Sequence, residues 1–448
     1  MRYASRQWML PAFTVGLVAL TAPVVAVAGA PAATPSPANA HLAGAVSAGN
    51  WLATQLVDGG IPGFVGVDWG LTIDVLVALR ATGADPEAAE AAADAIEGNV
   101  DAYATGGEWA PELRIAGATA KVLYAAAVAG RDPAAFGGSD LRQRTMDLVA
   151  GPETGAQNGW LKSRDGAALT DGVNMFEQSI AVLGLARSGG VPPPMVAFLI
   201  GQQCPAGGFR LFPPADGAPC AAAPADQQVM DPDTTGLAVQ ALLAAGTADA
   251  GAAVDKAVGW LLSVQQLDGA FHGSALTDYS NANSTGLAGQ ALAAAGHAAA
   301  GDRAAGWIAS QQLTAADAGA AVAAVGAIAY TPEVRADAVA NGIAEFALDQ
   351  WRRSTAQAVL ALAKVPLGQV GIVAPPPAPA PSTSTAPSTA PSTSSSHPTA
   401  APAPVLVGAG DLAATGPPVA RLVATGGLAV LLGVALLLAS RRRRDRTP

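Results

Sequence analysis

A chain of 448 residues with 51% hydrophobic and 13% charged side chains can bury most of itself, but at 5% aromatics its core must be filled by Ala, Leu, Val and Gly. The formal net charge of −10 repels nucleic acids and other polyanions and so excludes them as partners. Two cysteines and four histidines, none at metal-ligand spacing to a cysteine, predict no structural zinc.

Residues 1–30 read as a secretory signal peptide. Arg2 and Arg6 precede an apolar stretch from Met9 to about Ala22, and Ala26-Val27-Ala28 and Ala30-Pro31-Ala32 offer small-residue cleavage sites. Over 41–366 the sequence predicts a helical repeat domain. Four apolar segments begin at Asp68, Asn174, Asp231 and Asn281 and end at Gly83, Gly189, Gly246 and Gly296. Asp and Asn accept the orphan N–H bonds of a first helical turn, and Gly takes positive φ just past a helix end. Pro232 stands at the first helical position, where its missing N–H costs nothing. A fifth segment, 114–130, has the same length without the cap.

Each capped segment follows another that carries an aromatic, then Leu or Ile, then Gln. These are Trp51-Leu52…Gln55, Phe198-Leu199…Gln202, Trp260-Leu261…Gln265 and Trp307-Ile308…Gln311, followed in three cases by a Gly-rich turn containing Phe. Counting ends near Gly83, Gly130, Gly189, Gly246, Gly296, Tyr330 and Ala363 gives six or seven helical hairpins, with no strand-like alternation. The second helices are poor in charge on every side, so they must be surrounded. The hairpins are therefore expected to close into a ring, these helices innermost, rather than stack as an open solenoid.

Cys204 and Cys220 flank the loop PAGGFRLFPPADGAP in the exported part, and a disulfide between them is expected. Residues 371–408 form a Pro/Ser/Thr-rich stalk that cannot bury a core. Residues 412–448 comprise Leu412-Ala413-Ala414-Thr415-Gly416, an apolar run from Leu422 to Ala439 long enough to span a bilayer, and Arg441 to Arg444. On these residues alone the segment is a single-pass membrane anchor. Motif, span and basic tail in that order resemble a sortase sorting signal of the L-A-x-T-G kind. That implies processing by sortase after Thr415 and attachment to peptidoglycan at the cell surface.

The aromatic-Leu-x-x-Gln and Gln-x-x-Asp-Gly-x-Phe pattern, over about residues 45–365, resembles the repeats of the prenyltransferase and squalene-cyclase α/α toroid superfamily. It implies an all-α toroid whose parallel inner helices bring their polar heads to one mouth. Asp68, Asn174, Asp231 and Asn281 suffice as caps, which leaves Glu177, Gln178, Asp233, Thr234, Asn283 and Ser284 to be explained.

Within that superfamily, Ser284-Thr285-Gly286-Leu287-Ala288-Gly289-Gln290-Ala291-Leu292 resembles the S-T-G-L-A-x-Q-A-L string of the transcobalamin and intrinsic-factor family. Asp233-Thr234 and Gln178 match two further positions. The resemblance implies a non-catalytic surface protein that binds cobalamin, or else a glycan, another protein or another polar ligand, through Glu177, Gln178, Asp233, Thr234, Asn283, Ser284, Thr285 and Gln290. The chain departs from that family in lacking its second β domain. In the alternative, Asp231-Pro232-Asp233-Thr234-Thr235 resembles the D-x-D-D-T motif of class II terpene cyclases, with Thr234 replacing the last Asp. That implies an enzyme with Asp233 as general acid. A carbohydrate-active enzyme would instead pair Asp233 with Glu177. The string Met175-Phe176-Glu177-Gln178 has no Cys, which excludes a thioester there.

Overall fold

In the computed structural model, residues 39–107, 110–274 and 277–372 are described. The expected signal peptide, nearly all of the stalk, the Leu412–Gly416 motif and the 422–439 span lie outside the described residues. Within them, no helix is long and apolar enough to cross a membrane.

Six outer–inner helix pairs follow one another along the chain. They are α1 (Leu42–Ala53) with α2 (Trp69–Thr82); α3 (Pro86–Glu97) and the short α4 (Val100–Ala104) with α5 (Ala116–Ala129); α6 (Leu141–Met146) with α7 (Met175–Arg187); α8 (Pro193–Gly201) with α9 (Pro232–Ala245); α10 (Ala248–Val264) with α11 (Ala282–Ala294); and α12 (Ala298–Gln311), then the peripheral α13 (Pro332–Asn341), with α14 (Leu348–Ala363). The inner helices α2, α5, α7, α9, α11 and α14 each pack on the next, and α14 returns to α2. The ring is closed, and the fold is an α/α toroid.

Local chemistry explains where four of the six inner helices begin. Asp68, Asn174, Asp231 and Asn281 are the N-caps, accepting from the backbone N–H of Leu71, Glu177, Thr234 and Ser284. The small residues along these helices let neighbouring backbones touch. A Cβ on Gly286 would lie 2.6 Å from Ala358 Cα of α14, and one on Gly236 would lie 2.8 Å from the Leu287 carbonyl oxygen of α11.

The glutamines at the outer-helix ends stitch one pair to the next. Gln203 Nε2 donates to the carbonyls of Gly207 and of Ala253 in α10. Gln265 does the same to Gly269 and to Ala300 in α12. Gln312 does it to Gly326 and to Gly44 in α1, which joins the last pair to the first. In two of these doublets the stitching residue is the second glutamine, not Gln202 or Gln311. Gln55 accepts instead from Arg352 Nε at 3.1 Å.

One feature decides between the six and seven hairpins expected, and a second differs from expectation. The segment near Tyr330 is no seventh hairpin: Gly319–Ala324 forms a short 3-10 turn, and Gly326, at φ 103°, breaks any continuation. The run there is rich in Ala and Gly but has no cap to start an inner helix. The described chain is also not all-α. Strands β1 (Thr105–Gly106), β2 (Ala110–Arg114), β3 (Lys162–Asp165) and β4 (Ala168–Gly172) make an antiparallel sheet in that order. Strands of two to five residues, none of them fully buried, are too short for an alternating pattern to register. Because β2 leads into α5 and β4 into α7, the sheet stands at the N-terminal rim of the ring.

The opposite end is closed by residues 364–372. Tyr124 donates its hydroxyl to the Leu367 carbonyl at 2.8 Å, Gln240 Oε1 accepts from Leu367 N at 3.1 Å, and Arg187 donates to the Val370 carbonyl at 2.5 Å.

Cys204 and Cys220 form the expected disulfide, and both are buried. The loop it closes reaches over the ring's open end, where the Leu211 carbonyl accepts from Met175 N at 2.9 Å. Reduction is expected to lower stability by about 3 kcal/mol, the chain-entropy value for a loop of this length. Denaturant titration with and without reductant measures it. Coincident curves would mean that the bridge constrains nothing.

Candidate active site at the mouth of the toroid

The inner-helix heads repeat one pattern, and reading it position by position separates structural from available side chains. The first position caps, as above. The fifth latches the preceding Gly-rich turn: Thr72, Thr235 and Thr285 accept through Oγ1 from the backbone N–H of Ile61, Phe209 and Phe271, and Thr355, two turns into α14, does the same for Ile328. In α7 that position is Gln178, which accepts from Leu161 N at 2.9 Å and donates to the Gly159 carbonyl at 3.0 Å. Gln178 and Thr285, expected as ligand-binding residues, are thus committed to backbone away from the mouth. Gln290 lies further along α11 and donates to the Val365 carbonyl in the floor. The string that resembles the corrinoid binders is largely a packing motif here.

The fourth position is partly committed. Thr234 donates both its N–H and its hydroxyl to Asp231 Oδ1, each at 2.7 Å. Ser274 donates to the other oxygen, also at 2.7 Å, so three donors converge on Asp231. Glu177 completes a capping box by accepting from Asn174 N at 3.3 Å. Burial, partly offset by that bond and by Lys121, raises its pKa.

The third position is left over. Asp233 Oδ1 and Asn283 Oδ1 are shielded from solvent and have no hydrogen-bond partner among the described residues. Both line a cavity of about 610 Å³ with Glu177, Thr234, Tyr103, Phe176 and Phe212. Ser284 is buried at the same helix start. Burial first, and the Asp231 carboxylate second, push Asp233 up to about 7, with the Ser284 hydroxyl offsetting part of the rise. A carboxyl that keeps its proton until about neutral pH is what an unsolvated site beside another carboxylate produces.

Below the mouth the axis becomes apolar. A narrower space of about 50 Å³ is lined by aliphatic side chains including Ile73, Leu183, Leu237, Leu287 and Leu360. Lys121 and Asp74 face each other there at 2.7 Å. Burial alone would lower the Lys121 pKa, but Asp74, Tyr103 and Asp68 together outweigh it and the net shift is upward, so Lys121 stays charged. Lys121 and Asp74 escaped the sequence reading, although Lys121 is the lone charge of α5 and Asp74 the lone acidic group of the largely apolar α2. That is the signal by which they could have been found. No cluster of three His, Cys, Asp or Glu able to hold a metal occurs among the described residues.

No protein-family profile matches the chain, and no curated protein is similar to it in sequence. Among solved structures, a protein from Actinoplanes is 19% identical, with 72% of this chain and 99% of that one covered at a TM-score of 0.50. A type II terpene cyclase from Scytonema, in complex with geranylgeranyl dihydroxybenzoate, is 16% identical over 74% of this chain and 98% of that one, TM-score 0.48. A glycosidase is 13% identical over 73% and 98%, TM-score 0.45. At these identities the likeness is one of fold alone.

Proposed function

We propose that the toroid is an acid-initiated enzyme, in which Asp233 donates a proton to an unsaturated, largely apolar substrate seated along the ring axis. The observation that carries this reading is the Asp233 carboxyl: raised in pKa, shielded, with an Oδ1 that has no hydrogen-bond partner among the described residues, and facing a cavity whose floor is aliphatic. A general acid works best with a pKa near the working pH. Proton transfer from Asp233 to an alkene carbon leaves a carboxylate beside the Ser284 hydroxyl and a carbocation on the more substituted carbon. Tyr103, Phe176 and Phe212 line the same cavity and offer ring faces to that cation. The cation then closes a ring by taking the electron pair of a second alkene, which moves the charge to a new carbon, and the sequence ends when a neighbouring carbon loses its proton to water.

Two other readings are less well supported. A glycosidase needs a second free carboxylate, and Glu177 is engaged in its capping box. A corrinoid would need Gln178, Thr285 and Gln290, which hold backbone instead.

Incubating the purified protein with linear polyprenyl alkenes in D2O is expected to yield products carrying one deuterium from the initiating acid. Asp233→Asn should slow this by about 10²- to 10⁴-fold, the usual contribution of a general acid. Undiminished turnover in the variant, or no consumption of any isoprenoid, would remove the proposal. Retention of cobalamin on dialysis, lost in Asp233→Ala, would put the binding reading in its place.

A further inference from the structure

Beside the mouth, but outside the cavity that holds Asp233, the sheet and α6 enclose a second cleft of about 330 Å³. It is lined by Arg114, Arg144 and Arg164, a concentration of positive charge in a chain with 24 basic and 34 acidic residues. Arg114 on β2 and Arg164 on β3 are direct cross-strand partners. Like charges placed opposite each other in an antiparallel pair destabilise it. The fold nevertheless sets them side by side at the edge of one cleft.

Each guanidinium is held by one edge. Arg114 Nη1 donates to the Pro111 carbonyl at 2.5 Å and the Leu113 carbonyl at 3.2 Å. Arg164 Nη2 donates to the Asp147 carbonyl, while its Nε is shielded from solvent and has no acceptor among the described residues. Arg144 donates to Ser139 Oγ and pairs with Asp101 at 2.6 Å. Among the described residues neither Arg114 nor Arg164 is paired with a carboxylate. Backbone anchoring orients two forks and leaves donors on both unused.

We infer that the Arg114–Arg164 pair, with Arg144 beside it, is a binding site for the phosphate group of a hydroxylated small molecule such as a sugar phosphate. A dianion bridging the pair offsets the repulsion between them, and a tetrahedral group can present separate oxygens to two forks. The cleft is larger than a bare phosphate requires. Glu112 and Asp147, which also line it, are acceptors suited to hydroxyl groups.

The test uses thermal unfolding of the purified protein in phosphate-free buffer with added glucose 6-phosphate, inorganic phosphate or glucose. Glucose 6-phosphate should raise the melting temperature saturably, inorganic phosphate more weakly, and glucose not at all. Arg164→Gln should weaken the response about ten- to a hundredfold, as expected for losing a charge-assisted bond. Arg164→Lys should not restore it, because an ammonium lacks the fork. Arg114→Gln should melt higher than the native protein when no anion is present, since the repulsion is gone. A response equal in native protein and in both glutamine variants, or none up to about 10 mM ligand, would overturn the inference. So would an Arg114→Gln variant that melts lower without anion. None of these readouts depends on whether Asp233 acts as an acid.

Discussion

Gly286→Ala is expected to cost about 3 kcal/mol, the upper end for an inserted methyl group in a packed core, and Gly286→Val to prevent recovery of a cooperatively folded protein. The added Cβ would meet Ala358 Cα at 2.6 Å and the Gln357 carbonyl oxygen at 2.8 Å. Both are backbone atoms of a neighbouring helix, which no rotamer change can move. In an open array the two helices could slide apart. Here α11 is held between α9 and α14, so relief at one contact compresses another. Gly251 provides the control, because it lies in the outer helix α10 with nothing within 4 Å of where its methyl group would sit. Gly251→Ala should stabilise by roughly 0.5–1 kcal/mol through helix propensity. Thermal unfolding distinguishes the two, and a Gly286→Ala protein as stable as the native one would show that the inner ring is not close-packed.

Asp233→Asn is expected to stabilise the protein, increasingly so as the pH rises. The folded-state pKa of Asp233 is raised from 3.8 to about 7 by burial and by Asp231. Between those values the folded protein holds a proton that the unfolded chain has released. Stability therefore falls as the pH rises through that window and reaches its full deficit above about 7. Asparagine has the same shape and no proton to lose. The variant and native curves should coincide near pH 4, separate through pH 5 and 6, and run parallel above 7. At 1.36 kcal/mol for each tenfold shift in proton affinity, the gap should be on the order of a few kcal/mol. Curves parallel across the whole range would mean that Asp233 is ionised like a surface carboxylate, and would weaken its assignment as an acid.

Much of the architecture could be read from the sequence because it rests on local chemistry. Asp68, Asn174, Asp231 and Asn281 announce their helices by capping them, and the absence of charge in segments such as GLAVQALLAAG announces that they are enclosed. The site was harder to read, for a physical reason. Asp231, Asp233, Thr234 and Thr235 are all polar and all sit within one helical turn, yet three are consumed by the fold and one is left over. Only hydrogen-bond partners separate them, and those partners, such as Phe209 N and Ser274 Oγ, come from other turns of the chain. The same holds for Gln178, Thr285 and Gln290, whose side chains look like ligand-binding groups until the distant backbone that they hold is seen. The sheet escaped because its strands are too short to carry a period, and Arg114 met Arg164 only through a pairing between segments fifty residues apart.

Closure by Gln312 onto Gly44 has an arithmetic consequence. Each hairpin must turn the chain by one sixth of a circle for the last to meet the first, so the number of repeats is fixed in a way that a solenoid's is not. A duplicated or deleted hairpin would leave a gap or a collision at every junction, not merely a longer or shorter molecule. Sequence can be gained only where the angular count is untouched, in the connections that rise from outer to inner helices. The diverted 312–331 segment and the disulfide-closed 204–220 loop are such additions, and both lie on the rim. The part of this protein most free to diversify is therefore the border of its own opening, while the staves beneath it remain six.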